Sequence, residues 1–208
     1  MVSQMYLRTA SAVLLLLSCL HMTKADAPNQ LEFLSQVAKD INVLGKTALC
    51  HSVHGNDAEI LSKAYKVYDT TVNGIKTSVD GPLTEEKFGT LLKILVHDTS
   101  AAAKVVDPAC SNAANYCPES DPPPQAATLA ALGKALITLG STFECLTANP
   151  NPEHLAKVPV IIGNAIQKVA NHKGDSITSV GIILPEIIEI AVGFQSLSTT
   201  CANVAQPC

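Results

Sequence analysis

The sequence predicts an all-α fold made of two similar three-helix units, and three observations carry that expectation. Apolar residues recur at spacings of three and four in each long segment, with no run of strict alternation. The stretch Cys110-Ser-Asn-Ala-Ala-Asn-Tyr-Cys117 returns as Cys201-Ala-Asn-Val-Ala-Gln-Pro-Cys208, both reading C-[SA]-N-[AV]-A-[NQ]-x-C. Upstream, Leu44-Gly45-Lys46-Thr47-Ala48-Leu49-Cys50 matches Leu139-Gly140-Ser141-Thr142-Phe143-Glu144-Cys145 at an offset of 95, and Asn73-Gly74-Ile75-Lys76 matches Asn164-Ala165-Ile166-Gln167 at 91. A tandem duplication that spans nearly the whole chain after the leader is therefore expected, with six helices packed together.

Residues 1–25 have the organisation of a signal peptide. Arg8 closes a weakly basic start, Ala10 to Leu20 is apolar, and Thr23-Lys24-Ala25 offers small residues for cleavage before Asp26. The apolar run is about half of the roughly 20 residues that a membrane span requires. Removing the segment takes away Cys19, the single Arg and all three Met, and leaves six cysteines of seven. It also leaves 12 Lys (14 basic residues less Arg8 and Lys24) against 18 acidic residues, a net charge of −6. Without a guanidinium fork and with an acidic balance, nucleic acid and anionic membranes are poor partners. The expected location is extracellular.

The remaining chain divides into unit 1 (26–117), a proline-rich linker (118–124) and unit 2 (125–208). In unit 1, Leu31, Leu34, Val37, Ile41, Leu44 and Ala48 form the stripe of a first helix. A second helix follows an Asn56 cap, with Ile60, Leu61, Ala64, Val67, Tyr68, Val72, Ile75 and Val79 inward. After the turn at Asp80-Gly81-Pro82, Thr84 caps a third helix with Phe88, Leu91, Leu92, Leu95, Ala102 and Val106 inward, ended by Pro108. Three consecutive prolines, 122–124, stiffen the linker. Unit 2 opens with the stripe Leu129, Leu132, Leu136, Leu139, Phe143 and Leu146. The turn Asn149-Pro150-Asn151-Pro152 leads into a helix that Pro159 must kink or delay, and Asp175 caps a last, far more apolar helix over about 177–200 that contains Pro185.

Each unit holds three cysteines: Cys50, Cys110 and Cys117, then Cys145, Cys201 and Cys208. Three is odd, so three bridges within one molecule oblige at least one to join the units. One bridge inside each unit and one between equivalent cysteines is the expected pattern. First and third helices of an up-down-up unit run parallel, which brings Cys50 towards Cys110 and Cys145 towards Cys201. No CxxC pair suggests a metal knuckle.

Chemistry-bearing patterns are few. His51, His54 and Asp57 are spaced to share one helical face, yet helix-end histidines near free carbonyls account for the pair as well. Asp98, Glu186 and Glu189 are the candidate carboxylates, and neither a nucleophile elbow, a phosphate-cradling loop nor a zinc-helix motif is present. No enzyme activity, cofactor or metal is expected. The apolar runs Val158–Ile162 and Ile182–Val192 exceed a one-sided stripe, so both helices should be buried on several sides. A lipid-like ligand between the units, touching Ile161, Ile162, Ile166, Ile183, Ile187 and Ile188, is the leading expectation. The alternative is a structural or interaction protein of the matrix, a secretion component, an effector or an inhibitor, with a protein partner and no ligand.

Overall fold

The structure is a computed structural model that describes residues 27–79, 90–117, 120–172 and 179–204. The predicted leader, the Thr84 and Asp175 caps, Phe88, Cys19 and Cys208 lie outside these residues. Six helices carry the fold and no strand occurs among the described residues. They are α1 (Ala27–Val53), α2 (Ala58–Ser78), α3 (Thr99–Lys104), α4 (Ala127–Ala148), α5 (Val158–Asn171) and α6 (Ser179–Leu197). A π-helical turn, Lys93–Asp98, leads into α3, and a helical turn, Pro152–Leu155, precedes α5.

Local chemistry sets the boundaries. Asp57, one residue beyond the expected Asn56, caps α2 by accepting from the backbone N–H groups of Glu59 and Ile60. Asn151 caps the turn before α5 through Glu153 N. Pro159 sits in the first turn of α5, where its missing N–H costs nothing, so that helix starts late. The third helix departs from its expected register. Thr99 Oγ1 donates to the Ile94 carbonyl five residues back at 2.7 Å, within the π turn. The extra residue moves Val96 and Ala103 into the core, and the predicted Ala102 points to solvent instead.

The main interface is between α1 and α4, which run antiparallel with their backbones in contact. A Cβ on Gly45 would lie 2.7 Å from Ile137 N, and one on Gly140 would lie 2.7 Å from Asn42 N. Only glycine permits that approach. Phe143 of α4 meets Phe194 of α6 edge to face, with centroids 5.0 Å apart, and both rings are fully buried. Helix α2 packs on α5 and α6 of the other half. One continuous core thus draws on all six helices, including Val37, Tyr68, Ala103, Leu132, Ile166 and Phe194.

Two disulfides are described, Cys50–Cys110 and Cys145–Cys201, each inside its own half. Cys117 is also disulfide-bonded. Helix α6 was expected to be buried on several sides, and one of its faces stays open. Helix α6 packs on α2, α4 and α5, while Ile188 and Val192 stand 47% and 57% exposed on its outer face. By length and hydropathy alone, α6 and the segment Pro124–Ala148 could each cross a membrane, though most of the latter is core.

Candidate functional sites: an apolar seam and a histidine corner

A cavity of about 60 Å3 lies where the two halves meet. Its first-half wall comes from Leu44, Tyr68, Thr71, Ile75, Leu95 and Thr99, and its second-half wall includes Leu132, Leu136, Ile162, Ile166, Ile183, Glu186 and Ile187. These residues converge because the inward stripes of α2 and α5 face each other across the seam, with α4 as floor and α6 alongside. Partly exposed Leu95, Glu186 and Ile187 mark its mouth. Of the six isoleucines expected to contact a ligand, Ile162, Ile166, Ile183 and Ile187 line the cavity. Ile161 packs instead against Gly193, and Ile188 faces solvent. A helix of α6's apolarity offers isoleucines on every side, so composition alone could not say which of them turn inward.

The polar groups of the seam were not anticipated as a site. Tyr68 is 1% exposed and its hydroxyl has no hydrogen-bond partner, while burial raises the phenol's pKa and keeps it protonated. Thr71 Oγ1 donates to the Val67 carbonyl at 3.0 Å and lies 2.7 Å from Thr99 Oγ1. Glu186 lines the mouth with its Oε2 3.7 Å from Lys168 Nζ, and Lys168 also binds Glu189. The candidate carboxylates Glu186 and Glu189 thus share one cation, and Asp98 sits beside His97 at 3.1 Å. One signal in the sequence could have exposed the seam: Tyr68 and Thr71 place two hydroxyls three residues apart on an otherwise apolar stripe.

The second site is the end of α1. His54 Nδ1 lies 2.6 Å from Asp107 Oδ2, and Asp107 Oδ1 accepts from Ala109 N, capping the turn that delivers Cys110. Burial raises the Asp107 pKa, but hydrogen bonds from His54 and Ala109 N outweigh it and hold the carboxyl below its usual range. His51 is fully buried with neither ring nitrogen partnered. Burial lowers its pKa to about 4 against the opposing pull of Asp107, with His54 lowering it further. The expected grouping of His51, His54 and Asp57 is corrected, because Asp57 is occupied as the α2 cap and Asp107 takes its place beside His54. Cys50, Cys110 and His54 place ligand atoms within 4.8 Å of one another, but the disulfide already uses both sulfurs. An open cleft of about 520 Å3 also lies between α1 and α4, bordered by Lys39, Asn42, Glu144 and Val204, the last described residue.

Comparison with protein families, with curated proteins and with solved structures finds no match.

Proposed function

We propose that this chain is a secreted, non-enzymatic binding protein that holds a compact apolar molecule in the seam between two duplicated halves. The observation that carries the reading is the seam cavity, walled by both halves and almost wholly apolar, with a buried Tyr68 hydroxyl left unpartnered beside it. Its volume revises the ligand. About 60 Å3 is well under half of the ~150 Å3 apolar cavity that takes benzene. A fatty-acyl chain does not fit, and a five-carbon ring, about as bulky as benzene, enters only as the walls part.

Duplication gives the seam a reason to exist. Contacts across the α1–α4 crossing pair Gly45 with Ile137 and Gly140 with Asn42. Adding 95 to Gly45 and Asn42 gives Gly140 and Ile137, so one contact is the other turned about a two-fold axis. The cavity obeys the second offset, since Thr71, Ile75 and Thr99 plus 91 give Ile162, Ile166 and Ile190, all in its wall. In this reading the third bridge joins Cys117 to Cys208 and clasps the halves around the seam.

The test is a titration of natively folded protein with cyclopentane, followed by backbone amide NMR. Saturable shifts confined to the residues around the seam, abolished by the space-filling Ala165→Val, support the reading. No saturable shift with any small hydrocarbon would sink it. A second reading rests on the exposed Ile188 and Val192 of α6, an apolar face suited to a protein partner. It gains if the hydrocarbon fails to bind and Ile188→Asp with Val192→Asp abolishes self-association.

A further inference from the structure

We infer that the seam selects ligands bearing one hydrogen-bond-accepting oxygen, such as a small ketone, and that the Tyr68 hydroxyl is the group that reads it. The inference rests on the seam being a ligand site. It adds the chemical class of the ligand and the residue that discriminates it.

The argument starts from what a filled core would demand. At a position 1% exposed on the wall of an almost wholly apolar cavity, phenylalanine offers the same ring without a hydroxyl to desolvate. Tyrosine adds an O–H for which the protein supplies no partner. The other hydroxyls at the cavity have spent their protons. Thr71 Oγ1 and Thr99 Oγ1 lie 2.7 Å apart, one donating to the other, and the remaining proton goes to a main-chain carbonyl, that of Val67 from Thr71 or that of Ile94 from Thr99. Each has a single proton, so neither has one to spare. Glu186 can only accept while ionised, and it is engaged with Lys168 at the mouth. Tyr68 is thus the one uncommitted donor among the described cavity-lining side chains, and burial keeps it in the donating form.

The empty cavity presents almost no polar surface, so an acceptor oxygen completes that hydrogen bond as the ligand parts the wall at Tyr68, in an environment where water cannot compete. The remaining wall recognises only hydrocarbon, which contributes affinity without telling one apolar molecule from another. Selectivity then rests on Tyr68 and fit on the isoleucines. The paired halves differ in the way such a site needs, because Thr71 and Thr99 stand where the 91-residue offset places Ile162 and Ile190.

Cyclopentanone and cyclopentane, matched in size and differing by one acceptor oxygen, provide the test. Each is titrated into the full-length protein and into Tyr68→Phe, with dissociation constants read from amide shifts. The expected result is that Tyr68→Phe weakens cyclopentanone about tenfold and leaves cyclopentane unchanged. If both ligands bind and Tyr68→Phe changes neither, or weakens both equally, the inference is overturned while the seam remains a binding site. Failure of both ligands to bind the unmodified protein overturns the seam reading and this inference together.

Discussion

The two disulfide corners share one scaffold and differ in their chemistry. Cys50–Cys110 spans 60 residues with a Cα separation of 5.8 Å, and Cys145–Cys201 spans 56 with 5.7 Å. Each ties the end of a long first helix to a segment beyond its half's third helix. Around the first bridge stand His51, His54 and Asp107. At the sequence offsets of 95 and 91 the second has Leu146, Asn149 and Ser198. Asn149 Nδ2 lies 3.9 Å from Cys145 Sγ, much as His54 Nδ1 lies 3.8 Å from Cys110 Sγ, but no described titratable pair faces the second bridge. The difference teaches that covalent geometry and packing are held in common while, around the bridges, the described titratable pair belongs to the first corner. The seam echoes it in Thr71 and Thr99 against Ile162 and Ile190, with Glu186 against Leu95 as the exception.

Breaking the shared scaffold should cost both halves alike. Loops of 60 and 56 residues give nearly the same closure entropy, so replacing either pair by alanine is expected to cost about 4 kcal/mol. Denaturant unfolding of the two double variants checks this. Losses differing by more than about 1 kcal/mol would mean that the corners are not mechanical equivalents. A second blow to the common frame is Gly45→Ala or Gly140→Ala, each of which drives a methyl to 2.7 Å from backbone of the opposite helix. Each should cost about 3 kcal/mol, the upper end for overpacking, and the double variant should cost less than the sum, because one parting of the helices relieves both clashes. Full additivity would argue against a single two-fold contact.

The parts legible in the sequence are those with a period or a parity. Leu129, Leu132, Leu136, Leu139, Phe143 and Leu146 are all buried along α4, as their spacing required. The parallel first and third helices of each half anticipated a bridge inside each, and Cys50–Cys110 and Cys145–Cys201 are those bridges. What the pattern could not carry was contact between distant segments. Asp107 meets His54 across 53 residues, and no spacing rule connects them. The π turn before α3 changes register by one residue through hydrogen bonding that no apolar pattern records. The size of the seam cavity depends on side-chain interdigitation, which no spacing rule records.

Acid should separate the two corners. His51 is buried neutral with a pKa near 4, against 6.5 when exposed, so the unfolded chain binds the proton more readily between these values. Stability is therefore complete above about pH 6.5, falls as pH drops, and stops falling on this account near pH 4. Asp107 acts lower on the scale: its depressed pKa contributes stability present above the ordinary carboxylate value of 3.8 and lost as pH falls through its folded value. At pH 5 the His51 contribution amounts to roughly 2 kcal/mol. His51→Leu, which copies Leu146, is expected to flatten the stability profile between pH 6.5 and 4. Leu146→Ala should lower the curve without changing its slope. An unchanged slope in His51→Leu would assign the acid sensitivity to another group.

The smallest effect bears on the seam and has the opposite sign. Removing a core atom normally destabilises, yet Tyr68→Phe removes an oxygen that is desolvated and unpartnered. The folded state then no longer bears that desolvation cost, and without ligand the variant should be more stable by about 1 kcal/mol. Truncating an apolar wall residue such as Ile166→Val, which lacks any such liability, should lower stability by about the same amount. Calorimetric melting of the two variants beside the unmodified protein reads both signs. If Tyr68→Phe proves less stable, the hydroxyl is already satisfied, by a water in the cavity for instance, and the core has no unmet donor to offer a ligand. If it proves more stable, the first half retains a group that harms the empty fold, and a role in ligand recognition accounts for its presence.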